Sequence, residues 1–419
     1  MNTAGLATEQ APPLAVPLGF YALLPLALLA GGGLLAWHGA ALLASHWSPL
    51  TIAWTHLGTL GLLLAAMLGS LYQLVPVVLG VPVPGIRLAH AVALALALGT
   101  AALVGGLLAG LAPLVLAGGG LLTLALAGFL LPVTRALMRA RAGGPTATGI
   151  RGAVTCLLLV AIVGLRLAWG HGTGALPDAR QTWLTVHVAL GLIGWVGGLT
   201  TAVAWQIVPM FYLAPPLSPR LARLLASLAP GSALLTAALA LGGSPLLWVL
   251  LAALPGAVGV WLVQPVLLAW HIAHRRRRRR DPTLQFWWLA LGCAPLTLLT
   301  AVLAVATDWP PAPVLFGWLA VVGWGGALVH GVLLRIVPFL VWFHAFTHAA
   351  GQRDVPPMKR LLPDAQAAWN LRAHAAAVLS GAVAIGCGGD WLARAAGGLL
   401  AVVGLLLGAA LASTLWRAR

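Results

Sequence analysis

Acidic residues are almost missing from this chain: seven Asp and Glu stand against 23 Lys and Arg in 419 residues. All seven (Glu9, Asp178, Asp281, Asp308, Asp354, Asp364 and Asp390) fall in tails, in loops or at the edges of apolar runs. Proton- and sodium-coupled carriers usually need a carboxylate inside the membrane, so this absence weighs against an ion-coupled transporter. Cysteine is equally scarce. Cys156, Cys293 and Cys387 are isolated in apolar segments, which excludes a disulfide framework and a cysteine metal motif. With only 7% charged residues the chain lacks the surface polarity to dissolve a large globule. No nucleophile–base pair or phosphate-binding loop can be assembled either.

What fills the chain is apolar: 61% of residues, with a mean hydropathy of +0.99. Uncharged stretches of 20 or more residues recur, and a bilayer core needs about 20 apolar residues at 1.5 Å rise each. The 51 glycines and many alanines suit helices that approach closely in lipid.

The pattern has a long period. Thr55 to Pro76, THLGTLGLLLAAMLGSLYQLVP, ends in a motif that returns as Trp205-Gln206-Ile207-Val208-Pro209 and, altered, as Leu334-Arg335-Ile336-Val337-Pro338. These endings are 133 and 129 residues apart, and Leu131-Pro132-Val133 and Gln264-Pro265-Val266 are also 133 apart. Three such periods fill the chain, so a multi-helix unit in threes is expected. After a short polar tail over residues 1–16, twelve spans follow: 17–37, 51–79, 88–111, 113–137, 150–169, 182–213, 221–243, 245–273, 285–306, 313–346, 370–388 and 391–416. The tail lacks the basic segment and cleavage site of a signal peptide. The fold expected is an all-α integral membrane protein of twelve transmembrane helices in three pseudo-repeats of four, over residues 17–142, 143–280 and 281–419. The proline near the end of spans 2, 6 and 10 is expected to kink or terminate its helix.

Charge gives an independent check. With the N-terminus inside, the inner loops and tails collect 20 of the 23 basic residues, and the outer side keeps only Arg166, Arg180 and Arg394. Such asymmetry is the positive-inside signature, and a wrong span count would scramble it. Both termini are therefore expected in the cytoplasm of a bacterial-type inner membrane. The net charge of +16 reads as a topology signal with some attraction to anionic lipid heads. The Arg275–Arg280 run, directly after a span, reads the same way and not as a nucleic-acid site.

Histidine is the residue that carries chemistry inside the membrane. His56 and His187 each lie five residues into a span, on the second and sixth helices, roughly 8 Å deep at helical rise. Imidazole is a common ligand of haem iron and copper, and a buried one needs a partner. Two histidines at matched depth on related helices can clamp a haem; the bland reading is a hydrogen bond from each to a backbone carbonyl or water.

A threefold, twelve-span helical chain with histidine on its second and sixth spans resembles the haem–copper oxidase catalytic subunit superfamily, including its smaller single-subunit relatives linked to nitric oxide. The resemblance covers the whole chain in architecture. In motif it rests on Trp54-Thr55-His56-Leu57-Gly58-Thr59-Leu60-Gly61, Thr185-Val186-His187-Val188-Ala189-Leu190-Gly191 and the Gln-x-Val-Pro endings. It implies b-type haem with copper as a second metal, electron transfer or handling of nitric oxide or oxygen, and a cytochrome or other membrane subunit as partner. By that resemblance His56 matches the low-spin haem ligand and His187 the copper-ligating position. The departures are as informative. The seventh span, 221–243, lacks the family's paired histidines, and the position of the tenth span level with His56 is Trp318. His330 lies twelve residues further in. The tyrosine and acidic proton channels of the oxidases have no counterpart. The expectation is thus an incomplete centre: one haem, alone or with a reduced copper site.

Two pairings compete for that haem. His56 with His187 leaves Arg166, Arg180 or Arg394 to hold the propionates. His56 with His330 faces an offset of twelve residues, about 18 Å of rise, and His330 is then better read as hydrogen-bonded inside the bundle. At the inner face, His344 and His348 are spaced i, i+4 and can hold Zn or Cu with one further ligand; without nearby Cys or Glu, solvated positions on an amphipathic helix end are the preferred reading. His271 and His274 close span 8, and His90 and His374 are read as opening spans 3 and 11. His38, His46 and His171 lie in outer loops or at their edges and could collect metal or do nothing, the second reading being preferred. Trp195, Trp205, Trp318 and Trp324 lie within spans, as core or as haem neighbours, while Trp169, Trp183, Trp309 and Trp391 suit an interfacial belt. Gln73, Gln206 and Arg335 share one repeat position, lining a vestibule or capping helix ends. Two other functions stay open on sequence: a transporter with a histidine-lined pore, and a cofactor-free structural subunit.

Overall fold

Helix starts are written locally in the sequence. Ser48-Pro49, Ser218-Pro219 and Asp281-Pro282 each place a side-chain oxygen at the N-cap and a proline in the first turn. The caps accept from the amides of Thr51, Leu221 and Thr283, while proline loses no hydrogen bond there. Two helices end on glycine in the left-handed region, Gly110 and Gly174, where a Cβ would be penalised. The computed structural model built on these signals describes residues 7–140, 143–276, 281–346 and 355–418.

Among the described residues the chain is helical, without strands. Eleven helices are long and apolar enough to cross a membrane: α1 (Ala15–Leu43), α2 (Pro49–Leu79), α3 (Leu88–Ala109), α4 (Ala112–Arg139), α5 (Pro145–Thr173), α6 (Arg180–Tyr212), α7 (Pro219–Leu241), α8 (Leu246–Ala273), α9 (Pro282–Ala306), α10 (Ala312–Phe346) and α12 (Asp390–Trp416). Between the last two lies α11 (Asp364–Cys387), 24 residues long but more polar. The protein is therefore an all-α polytopic membrane protein.

Prolines at the recurring motif do not stop these helices. Pro76 and Pro209 each have three more helical residues after them, and Pro338 has eight. A proline removes one intrahelical bond, a defect that packing inside a bundle sustains.

Three helices contain a π-helical segment of 8 or 9 residues: Leu57–Leu64 in α2, Ala189–Gly197 in α6 and Leu319–Gly326 in α10. Their starts are 132 and 130 residues apart, the spacing of the proline motif to within one residue. π segments are rare and concentrate at functional sites. A shorter one, Gly259–Val263, lies in α8.

The chain forms two compact units, one comprising Met1–Pro12 with Leu71–Arg278 and the other Pro13–Ser70 with Arg279–Arg419. In the first unit α3 packs along α4, α4 along α5, and α7 against α5, α6 and α8. In the second unit α1 lies along α12, α12 along α11, and α9 against α10 and α11. Small residues permit the closest seam. A Cβ on Gly32 of α1 would stand 2.3 Å from the backbone nitrogen of Ala401, and one on Gly397 of α12 would stand 2.2 Å from that of Ala36. Lipid offers no hydrophobic drive for helix pairing, so such backbone-to-backbone contact supplies it.

Candidate functional site

His56 sits at the entrance of the α2 π segment, half-buried. Its Nδ1 lies 2.7 Å from the carbonyl of Ile52, one turn earlier. A carbonyl only accepts, so Nδ1 carries the proton and the ring's lone pair is on Nε2. This tautomer is the one a metal-binding imidazole adopts when its other nitrogen is oriented by a backbone carbonyl. The same i−4 bond occurs at His344 with Leu340 and at His274 with Trp270, so it is a property of helical histidines. What distinguishes His56 is its place at the entrance of a π segment.

Trp318, the residue level with His56 on α10, is fully buried and stacks on Trp54 with ring centroids 5.5 Å apart and planes 10° apart. Both indoles are anchored: Trp54 donates to the carbonyl of Gly31 and Trp318 to that of Val378, each at 2.9 Å. Trp318 is thus a packed core residue joining α10 to α11. Arg394 is tied to Asp390 at 2.6 Å and donates to the carbonyls of Ala36 and Trp37 at the end of α1.

The second unit also buries a polar cluster deep between α10 and α11. His330, Asn370 and His374 are 0%, 0% and 1% exposed. His330 Nδ1 meets His374 Nδ1 at 3.0 Å, and His330 Nε2 meets Asn370 Oδ1 at 3.0 Å. His374 Nε2 donates to the carbonyl of Val322, inside the α10 π segment, at 3.0 Å. Phe286 of α9 covers the pair, its ring centroid 4.6 Å from that of His330 and 5.7 Å from that of His374. Both ring nitrogens of His330 are therefore engaged within the bundle, which is the hydrogen-bonded reading of that residue.

Sequence placed His374 at the opening of its span, and here the structure corrects it. Helix α11 begins at Asp364, so His374 stands ten residues in (374 minus 364), about 15 Å along the axis. The six residues that carry this extension, Asp364 to Trp369, include Gln366, and Gln366, Asn370 and His374 recur every fourth position on one face. That stripe is the signal that could have found the cluster. His90, read as the matching position, is exposed on α3.

In the first unit, the His187 ring lies over Gly164 of α5: a Cβ there would be 3.2 Å from His187 Cε1. Arg166 is two residues along α5 from Gly164, half-exposed, and donates to the carbonyl of Ala175 at 3.2 Å. Arg180 opens α6, the helix that carries His187. His187 and the two arginines thus share the region where α5 and α6 are joined. Three atoms of this unit, Gln73 Oε1, Trp195 Nε1 and Trp205 Nε1, are buried with no hydrogen-bond partner among the described residues.

The remaining histidines are local. His271 is buried, 2.7 Å from the Pro215 carbonyl and edge-on to Trp205, whereas His274 is exposed and stacks on Trp270. His344 bonds within its own helix, and His348, its expected metal partner, lies outside the described residues. Among the described residues no three His, Cys, Asp or Glu side chains gather as a metal cage. His56 belongs to the second unit, and His187, Arg166 and Arg180 to the first. The chain matches no protein-family model, and no curated protein matches its sequence.

Proposed function

We propose that this chain is a twelve-span inner-membrane protein of the haem–copper oxidase type, built of three pseudo-repeats of four spans with both termini in the cytoplasm. It would bind b-type haem through His56 and work in electron transfer or in the handling of nitric oxide or oxygen. The observation that carries this reading is the place of His56 at the entrance of the α2 π segment, with its ring oriented by the Ile52 carbonyl. His187, with Arg166 and Arg180 for propionates, is a candidate ligand group of the first unit in its own right, and α11 is the twelfth span.

The donor set fits the group. Imidazole nitrogen is a usual axial ligand of haem iron, and guanidinium groups suit carboxylate propionates. Haem, when bound, supplies one-electron redox chemistry and a gas-binding iron. This chain's own contribution is to orient the ligand ring through the Ile52 carbonyl. A cytochrome or other membrane subunit would be the electron partner, and copper a second metal.

The test is the visible spectrum of the purified protein, oxidised and reduced, with a haem count, for the wild type and for His56→Ala and His187→Ala. A Soret band in the wild type that is lost in His56→Ala supports the assignment. A colourless wild type expressed with ample haem overturns it.

A further inference from the structure

The His330–His374 pair has an arrangement that two neutral imidazoles cannot satisfy. The Val322 carbonyl is purely an acceptor, so His374 Nε2 carries a hydrogen. Asn370 donates its Nδ2 to the carbonyl of Gln366 at 3.0 Å, which turns its Oδ1 toward His330 and requires a hydrogen on His330 Nε2 as well. Two neutral rings have then spent both their protons at the outer ends. Their Nδ1 atoms, 3.0 Å apart, would face each other with bare lone pairs in a fully buried site.

We infer that this pair is a proton-binding station inside the membrane, in which one proton from solvent is shared between His330 Nδ1 and His374 Nδ1. Protonation forms an N–H bond on one ring and an N–H···N hydrogen bond to the other, leaving a single positive charge spread over the pair. Every polar atom of the chain Val322, His374, His330, Asn370, Gln366 then has a matched partner. The neutral pair must instead turn the Asn370 amide, which sets its oxygen against the Gln366 carbonyl.

The geometry favours a proton over a metal ion. Ring centroids are 5.1 Å apart against 3.0 Å between the nitrogens, a difference of 2.1 Å that is close to two ring radii laid end to end. The lone pairs therefore point nearly at each other, as in a hydrogen bond. With metal–nitrogen distances of about 2.0–2.1 Å, tetrahedral ligation would need the nitrogens further apart and the rings converging.

No charge faces the pair among the described residues. Helix α9 presents Phe286, α10 presents Val322, and α11 presents Asn370. Arg335, five residues along α10, is paired with Asp281. Arg372 of α11 lies over the Trp369 ring, and Arg417 of α12 donates to Leu361 and Gln366. The inference is independent of haem binding.

The experiment is a pH series of ring-nitrogen NMR spectra on histidine-labelled full-length protein in lipid bilayers, with His374→Gln to assign the signals. The expected result is uptake of one proton, with both rings changing at a single midpoint, because coupled sites titrate as a pair. In Asn370→Leu both rings remain but His330 Nε2–H loses its acceptor. The proton affinity should fall about tenfold or more, moving the midpoint down by about one unit or more. Two separate midpoints, or no proton uptake down to the pH of unfolding, would overturn the station. So would signals that move at constant pH on adding Zn(II) or Cu(I), which would mark a metal site.

Discussion

Replacing Gly397 by alanine should destabilise the protein, while the same change one residue later should stabilise it. A methyl on Gly397 would meet the Ala36 nitrogen at 2.2 Å and the Gly32 oxygen at 2.7 Å, both backbone atoms that no rotamer change can clear. Helices α1 and α12 must therefore separate along their closest seam. Overpacking of this kind costs about 1–3 kcal/mol. Neighbouring atoms lose contact too, since a gap of about 0.5–1 Å already forfeits a quarter to a half of each dispersion well. A methyl on Gly398 of the same helix would meet nothing within 4 Å, so alanine there gains about 0.5–1 kcal/mol from the restricted unfolded backbone. The two adjacent variants should thus differ by roughly 1.5–4 kcal/mol, with opposite signs. Thermal unfolding in detergent can be followed by a thiol-reactive dye, because Cys156 and Cys293 are buried; exposed Cys387 would be replaced by serine first. Equal melting temperatures for Gly397→Ala and Gly398→Ala would refute the seam.

The same assay reads three further sites. Asp281→Asn keeps an N-cap on α9 but loses the pair with Arg335, a loss of at most about 1 kcal/mol, whereas Asp281→Ala should cost about 0.5–2 kcal/mol more. Thr201→Val removes the donor to buried Gln264 Oε1, at 2.9 Å between α6 and α8, and should cost about 1–3 kcal/mol; a variant as stable as the wild type would show that Gln264 finds another donor. Trp318→Phe removes the hydrogen bond to Val378 and should cost about 1 kcal/mol, with a larger loss in Trp318→Ala from the stack on Trp54.

The sequence by itself determined the helices. A bilayer admits only backbone that satisfies its own hydrogen bonds, so apolar length and helix-cap residues are local information. Expected spans such as 88–111 and 391–416 meet helices Leu88–Ala109 and Asp390–Trp416 within about two residues at each end. The proline motif likewise foreshadowed the spacing of the π segments. Sequence also singled out His56 and His330 as histidines within spans. Tertiary structure alone decided which polar groups meet. His374 looked like an interfacial residue because Arg372 and Asn370 lower the hydropathy around it, and only the packing of α11 on α10 turns it inward onto His330. Gly397 and Gly398 are indistinguishable as letters, yet one touches backbone and the other touches nothing. The physical reason is common to both cases: the helical period sets which residues share a face, but the neighbour that face receives is chosen by the whole bundle.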